Sequence, residues 1–239
     1  MRYLIETKNL TKKYGDSVVV NNVNISVPKG KIYGLLGRNG AGKTTLMKML
    51  LKLIKSSDGE VYLFGEQSKT VEKKVYRRIG SIIETPGFYE NLTAYENLNL
   101  AMRLRGYKEE NKIKEALTIV GLEKEVKKQF GDYSLGMKQR LGLAAALMHE
   151  PELLILDEPT NGLDPIGIAN IRDLFKTLCE DKKMTILISS HALTEIEQIA
   201  DIIGIMHEGN LIEEIKVAEI NNKNLEDYFY QLIGGGGIA

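Results

Sequence analysis

The sequence predicts an α/β protein from three observations. Short apolar runs of the buried-strand type recur along the chain, they alternate with helical segments, and a glycine-rich loop joins the first run to its helix. The runs are residues 32–36, 153–156, 184–188 and 202–206. With 239 residues, of which 43% are hydrophobic, the chain is long enough to bury a sizeable core.

The N-terminal segment predicts an antiparallel sheet. Residues 3–8, 17–20 and 23–27 read as strands, and the pairs Gly15-Asp16 and Asn21-Asn22 predict the turns between them. The buried run at 32–36 follows, and residues 43–54 then predict a helix. Further on, apolar residues at helical spacing predict a second core helix: Ile171, Leu174, Phe175 and Leu178.

The middle of the chain carries helical signals and no convincing strand. Thr93 and Glu96 have the spacing of a capping box. One apolar helix face follows, formed by Ala94, Leu98, Ala101 and Met102. We therefore predict a single domain over 1–239, in which 1–86 and 151–239 form the α/β core with its antiparallel part and 87–150 form an inserted helical subdomain. The glycines at 234–237 predict a flexible end.

Composition excludes several classes of protein. Lys+Arg and Asp+Glu are equal at 32 each, so no strong overall field draws the chain to nucleic acid or to an anionic membrane, and a local charged patch is the alternative left open. Cys179, the only cysteine, excludes a disulfide framework and fits a reducing cytosol, where we expect it to be a small apolar residue on a helix. The first residues do not resemble a signal peptide, and no window approaches the roughly 20 apolar residues that span a bilayer.

The glycine-rich loop has the pattern of a phosphate-binding loop. Gly37-Arg38-Asn39-Gly40-Ala41-Gly42-Lys43-Thr44 fits GxxxxGK[ST] at every fixed position, between a buried strand and a helix, and Thr45 follows. Its backbone N–H groups and the helix N-terminus suit an anion. Lys43 would reach the β- and γ-phosphates, and Thr44 would offer its hydroxyl to Mg²⁺.

Two adjacent acids end the second buried run. Asp157 and Glu158 follow residues 153–156, so the strand would bring them to the carboxyl edge of the sheet, where ligands bind in open α/β folds. We expect Asp157 to lie in the Mg²⁺ shell and Glu158 to act as general base on the attacking water.

At this point the sequence resembles the ABC (ATP-binding cassette) ATPase family over nearly its whole length. Asn161-Gly162-Leu163-Asp164 resembles the D-loop, His191 the switch histidine, and Tyr14 the aromatic residue that stacks on adenine. The resemblance implies a P-loop NTPase core with a RecA-like mixed sheet, an N-terminal antiparallel β subdomain and an inserted α-helical subdomain. It also implies ATP hydrolysis, with Glu158 and His191 as catalytic residues.

The family signature LSGGQ appears here in altered form, as Tyr133-Ser134-Leu135-Gly136-Met137. The Ser134 hydroxyl, the Gly136 N–H and a helix N-terminus can still form an anion site. In the family this site binds the γ-phosphate held by the opposite cassette. The resemblance therefore implies an ATP-driven dimer, most simply a homodimer, that works with separately encoded transmembrane permease subunits on the cytoplasmic face of the membrane.

A glutamate stands where the family usually has glutamine. Glu84 keeps oxygen ligands for Mg²⁺ but lacks the amide donors of glutamine. The stretch Glu84-Thr85-Pro86-Gly87-Phe88-Tyr89-Glu90-Asn91-Leu92-Thr93 resembles the subgroup that exports bacitracin-like and lantibiotic peptides. In the family, residues 86–93 lie where the permease docks; the alternative is a surface loop with its two aromatic side chains packed inward.

Other functions remain open from the residues. The cargo could be another molecule. Non-transport ABC ATPases of translation or DNA repair usually carry two cassettes or long coiled coils, which this chain lacks. A nucleotide-gated module without hydrolysis is motivated by Glu84 and the altered signature, although Glu158 and His191 argue against it. A GTPase would need Asn-Lys-x-Asp, but Asn222-Lys223-Asn224 is followed by Leu225.

Overall fold

The computed structural model describes residues 2–70, 72–84, 87–107, 109–219, 228, 229 and 232. The strands are β1 (Tyr3–Tyr14), β2 (Ser17–Val23), β3 (Ser26–Pro28), β4 (Ile32–Leu36), β5 (Asp58–Leu63), β6 (Glu66–Gln67), β7 (Ile79–Ile82), β8 (Leu153–Asp157), β9 (Thr185–Ser190), β10 (Ile202–His207) and β11 (Asn210–Lys216). The α-helices are α1 (Lys43–Leu50), α2 (Lys73–Tyr76), α3 (Ala94–Leu104), α4 (Glu110–Ile119), α5 (Leu135–Leu147), α6 (Pro165–Lys182) and α7 (Leu193–Ile199).

Two sheets form the frame. The antiparallel sheet has the order β2-β1-β5-β6, with β3 also paired to β1. The mixed sheet has the order β11-β10-β4-β9-β8-β7, in which only β11 runs antiparallel to its neighbour. The predicted α/β fold with an antiparallel N-terminal part and an inserted helical part is confirmed.

The mixed sheet buries its central strands on both faces. Every residue of β4, β8 and β9 is buried, which explains why these strands read as continuous apolar runs rather than alternating ones. Their parallel pairing brings their carboxyl ends to the same edge. The residues that follow each strand at this edge are therefore neighbours in space.

One of the two turns predicted in the N-terminal segment is present in the structure. The turn at Gly15-Asp16 is confirmed, because it joins β1 to β2. The turn predicted at Asn21-Asn22 is wrong, since β2 continues to Val23. Asn22 takes a left-handed φ of 49° within the strand, and its N–H donates to the Thr11 hydroxyl at 3.0 Å. The left-handed conformation of Asn22 therefore accompanies a local irregularity in the pairing of β1 with β2, and the chain does not reverse direction there.

The helical expectations also need adjustment at their ends. The helix predicted over 43–54 ends at Leu50, and β5 and β11 were not predicted. The capping box is confirmed, because the Thr93 hydroxyl accepts from the Glu96 N–H while the Glu96 carboxylate accepts from the Thr93 N–H. Cys179 is buried on α6, as expected.

Between 87 and 150 the described residues form α3, α4 and α5, with a 3₁₀ turn at Phe130–Asp132. Phe88 packs inward, its ring centroid 5.2 Å from that of Phe130, whereas Tyr89 is 60% exposed. Pro86 of the expected docking segment, residues 222–225 and the glycines at 234–237 lie outside the described residues. Within the described part of the chain, no helix combines the length and the apolar character needed to cross a membrane.

Candidate active site

The phosphate loop links β4 to α1 at the carboxyl edge of the mixed sheet. Its glycines are needed for space and for backbone conformation. A Cβ at Gly37 would lie 2.5 Å from the Met206 carbonyl oxygen, and Gly42 has a φ of +100°. Beside the loop lies a cavity of about 170 Å³, lined by Val19, Asn39, Gly40, Ala41, Gly42, Lys43, Thr44, Thr45 and Glu158. The loop therefore presents backbone N–H groups and a helix N-terminus to a small cavity.

Lys43 places its ammonium group in the middle of this loop. Its Nζ donates to the carbonyl oxygens of Gly37 at 2.6 Å and Arg38 at 3.3 Å, and lies 3.3 Å from Glu158 Oε1. The side chain is only 4% exposed. A buried cation held by three oxygen atoms is well placed to exchange one of them for an anionic ligand.

Thr44, which lines the cavity, and Asp157 place two side-chain oxygen atoms side by side. The Thr44 hydroxyl donates to Asp157 Oδ2 at 2.7 Å, and the Ser189 hydroxyl donates to Asp157 Oδ1 at 2.6 Å. Hard oxygen atoms of this kind suit Mg²⁺, which usually takes one or two protein ligands together with phosphate oxygens. No group of three or more His, Cys, Asp or Glu among the described residues could hold a metal ion. The Thr44 hydroxyl and the Asp157 carboxylate fit a Mg²⁺ ion that also takes phosphate oxygens as ligands.

Glu158 and His191 lie together at the ends of β8 and β9. His191 Nδ1 is 2.9 Å from Glu158 Oε2, while the other carboxylate oxygen faces Lys43. Glu158 adopts a left-handed φ of 45°, which is rare for a residue with a side chain. The Glu158 N–H donates to the Ser189 hydroxyl at 3.0 Å. This arrangement aims a carboxylate at the cavity and gives it a histidine neighbour.

Glu84 lies at the end of β7, with its carboxylate on α1. Its Oε1 is 2.5 Å from Lys48 Nζ, and no hydrogen bond among the described residues joins it to Thr44 or Asp157. Glu84 also has a left-handed φ, of 62°. Of the three predicted metal ligands, the structure therefore brings Thr44 and Asp157 together. The third, Glu84, is paired with the Lys48 ammonium group instead.

The signature and D-loop residues form a second cluster. Ser134 caps α5, its hydroxyl accepting from the Met137 N–H, and Asp164 caps α6 in the same way through the Gly167 N–H. The two segments touch: a Cβ at Gly162 would lie 2.5 Å from Leu135 Cδ2, and one at Gly136 would lie 3.5 Å from Leu163 Cδ2. Neither segment lines the cavity beside the phosphate loop.

Tyr14 ends β1 and is 52% exposed. The Lys12 ammonium lies 4.6 Å from the centroid of the Tyr14 ring. An exposed aromatic ring of this kind can stack on a planar ligand.

Two residues of the site escaped the sequence analysis. The Ser189 hydroxyl donates to the Asp157 carboxylate and accepts from the Glu158 N–H. Its position as a polar residue directly after the buried run at 184–188 could have identified it as a site residue. Lys48 pairs with Glu84, but nothing in the sequence brings residues 36 positions apart together. The neighbouring order of β8 and β9, with Asp157 opposite Ser189, is a tertiary fact.

Comparison with known proteins places this geometry in a family. A family model described as ABC transporter matches residues 20–161. The bacitracin transport ATP-binding protein BcrA of Enterococcus faecalis is 62% identical over 224 residues, which cover 94% of this chain and 73% of that protein. The lantibiotic transport ATP-binding protein SrtF of Streptococcus pyogenes is 45% identical over 226 residues, which cover 95% of this chain and 96% of that protein.

Solved structures agree. An ATP-binding subunit of an ABC transporter has a TM-score of 0.84 at 30% identity, over 96% of this chain and 99% of that one. A dimeric ATP-binding cassette in a post-hydrolysis state, bound to ADP and Pi, has a TM-score of 0.80 at 26% identity, over 89% and 98%. The family binds and hydrolyses ATP, and the resemblance inferred from the motifs is confirmed. This chain belongs to the ABC transporter family, as an ATP-binding subunit.

Proposed function

We propose that this chain hydrolyses ATP to power the export of a peptide antibiotic of the bacitracin or lantibiotic type. The observation that best supports ATP hydrolysis is the position of the Glu158 carboxylate, which contacts both Lys43 and His191 beside the phosphate loop. The proposed peptide-antibiotic cargo is supported by the names of the similar proteins from Enterococcus faecalis and Streptococcus pyogenes. Glu84 is the feature of this chain that also favours that subgroup.

The nucleotide would bind with its phosphates in the loop at 37–45. The backbone N–H groups of residues 38–45 and the Lys43 ammonium neutralise the β- and γ-phosphates, while the adenine stacks on the exposed Tyr14 ring. Thr44 and Asp157 would hold Mg²⁺, with Glu84 as a further oxygen ligand. When bound, Mg²⁺ would supply positive charge that offsets the charge of the phosphates.

Hydrolysis then depends on two side chains. Glu158 accepts the proton of the attacking water, because its carboxylate faces the cavity and is oriented by Lys43 and by Ser189 at its backbone. His191 donates a hydrogen bond to Glu158 from Nδ1 and fixes the direction of that carboxylate. Lys43 offsets the negative charge that builds up during phosphoryl transfer.

A second copy would complete the site. Ser134, Leu135, Gly136 and Met137 start a helix away from this chain's own phosphate loop, so their anion site serves the γ-phosphate of a partner cassette. Asn161, Gly162, Leu163 and Asp164 touch the signature from the same side. We place residues 87–150 as the helical signature subdomain, with the exposed Tyr89 and its neighbours as the contact for separately encoded permease subunits at the inner face of the membrane.

The ATPase assignment is tested by Glu158→Gln, which keeps the shape of the side chain but removes the base. We expect phosphate release to fall about 10²- to 10⁴-fold while binding of a fluorescent ATP analogue persists. Glu197→Gln, an exposed glutamate on α7, is the matched control and should retain turnover. Full turnover in the Glu158 variant would contradict its role as base.

The cargo assignment is tested in a sensitive bacterium that expresses this chain with its permease genes. We expect the growth-inhibiting concentration of bacitracin or of a lantibiotic to rise, and Glu158→Gln to abolish the increase. If the complex reaches the membrane and protects against no peptide, the cargo proposal is wrong and the ATPase proposal stands on the biochemical test alone.

A further inference from the structure

The contact between Glu84 and Lys48 joins the end of β7 to the phosphate-binding helix. Glu84 Oε1 lies 2.5 Å from Lys48 Nζ, and the two side chains are 64% and 30% exposed. Glu84 reaches this partner from a left-handed backbone conformation. Such a conformation persists only where surrounding contacts favour it, so the pair marks a defined position for the Glu84 carboxylate.

Lys48 also lies near the residues that we propose as Mg²⁺ ligands. It follows Thr44 by four residues on α1, so both side chains lie on the same face of the helix. Thr44 in turn donates to Asp157. The pKa of Lys48 is raised above its usual value, chiefly by the hydrogen bond to Glu84, and the negative charge of Asp157 adds to this effect. The Lys48 cation therefore lies within the electrostatic reach of both acids.

An ion pair in this setting is easily exchanged. Solvent-exposed ion pairs contribute little to stability, because water and salt screen them. A carboxylate is also a preferred ligand of a divalent cation. A lysine and a nearby divalent ion consequently compete for the same carboxylate oxygen atoms. The carboxylate leaves whichever of the two cations binds it more weakly.

We propose that Lys48 is a positioning residue that sets the affinity of the phosphate site for Mg²⁺. Lys48 and a Mg²⁺ ion held by Thr44 and Asp157 compete for the Glu84 carboxylate. The proposal rests on the proposed function, because it needs the Mg²⁺ site. It explains how a chain with glutamate at this position balances the added negative charge, and it requires that the effect of Lys48 depend on the acid at 84.

The experiment titrates Mg²⁺ into the full chain with a fluorescent, non-hydrolysable ATP analogue and measures the Mg²⁺ midpoint for nucleotide binding. Lys48→Met should lower the midpoint about two- to fivefold, the range that corresponds to the loss of one exposed ion pair. Lys48→Arg should keep the midpoint near that of the parent chain. Lys52→Met is the matched control, since Lys52 is an exposed lysine just beyond α1 that does not pair with Glu84.

The decisive comparison repeats Lys48→Met in a Glu84→Gln background. We expect most of the shift to disappear there, because no carboxylate remains to be released from Lys48 and only its weaker, longer-range effect on Asp157 is left. An equal shift in both backgrounds would mean that Lys48 acts on Asp157 directly and would overturn the proposal, as would no shift in either. If the parent chain binds the analogue without dependence on Mg²⁺, and Asp157→Asn changes nothing, the Mg²⁺ site of the proposed function fails instead.

Discussion

Two glutamates at the site occupy backbone conformations that favour glycine. Glu158 and Glu84 have φ values of 45° and 62°. A non-glycine residue in this region costs roughly 1–3 kcal/mol. The left-handed turn after β8 accompanies the orientation of Glu158 toward both Lys43 and His191. We read this strain as the local cost of aiming the proposed general base at the cavity.

His149 is a buried histidine outside the site. Its Nε2 lies 3.1 Å from the Ile79 carbonyl oxygen, and an Arg105 guanidinium nitrogen lies 3.0 Å from Nδ1. Burial, together with the positive charge of Arg105, lowers the pKa of His149 to about 4. The ring is therefore neutral at pH 7 and connects α5 to β7.

This histidine predicts a pH-dependent stability. Between pH 6.5 and 4 the unfolded chain binds a proton at His149 that the folded chain does not, so the free energy of unfolding falls as the pH falls through that range. Urea unfolding at pH 7.5 and at pH 5.0 gives the free energy of unfolding at each pH. Between these two values we expect the free energy of unfolding to fall by about 1–2 kcal/mol more in the parent chain than in the His149→Gln variant. The same pH change acts on all other groups in both proteins. Equal losses in the two would show that His149 does not cause the effect.

At the scale of elements, α5 and β7 approach each other at a glycine. A Cβ at Gly80 would lie 2.2 Å from the Ala146 carbonyl oxygen and 2.6 Å from Leu154 Cδ2. Backbone atoms cannot move aside as a flexible side chain does. Gly80 is thus the residue that allows the helix carrying the signature to pack on the mixed sheet.

Gly80→Ala should destabilise the fold by about 1–3 kcal/mol, because the added methyl group forces the helix away from the strand. Gly87→Ala provides the control, since a Cβ at Gly87 would meet no atom within 4 Å, and we expect a change within about 0.5 kcal/mol. Thermal or urea unfolding measures both. A Gly80 variant as stable as the control would mean that α5 and β7 tolerate a wider spacing.

At the scale of the whole molecule, the signature and D-loop form one exposed surface. Leu135 is 48% exposed and Ile166 is 71% exposed, although both are large apolar residues. Exposed apolar side chains beside a helix N-terminus suit a surface that another molecule covers. The separation of this surface from the chain's own phosphate loop supports the proposed two-cassette site.

Gly136→Asp tests that surface. A Cβ there would make only an ordinary contact with Leu163 at 3.5 Å, and an acid in the first turn of α5 suits the helix dipole, so the fold should persist. The carboxylate would repel the γ-phosphate of a partner. In a Glu158→Gln background, we expect light scattering to detect an ATP-dependent dimer that Gly136→Asp abolishes.

Asn111→Asp adds the same charge to an exposed position of α4 and should leave the dimer intact. If the Gly136 variant dimerises as fully as this control, Gly136 lies outside the interface.

The sequence alone determined the parts whose chemistry is local. GxxxxGK[ST] between a buried strand and a helix specifies a phosphate loop, because glycine conformations and the helix N-terminus act within a few residues. The capping box at Thr93 and Glu96 and the buried strand that ends in Asp157 were readable for the same reason.

Only the tertiary structure decided which distant residues meet. Strand order placed Ser189 opposite Asp157, chain packing placed Glu84 on Lys48, and a local irregularity in pairing carried β2 through Asn22 where the sequence predicted a turn. These contacts join segments far apart in the chain. Local propensity and periodicity are set within one segment, so they carry no information about which partner the folded chain brings to it.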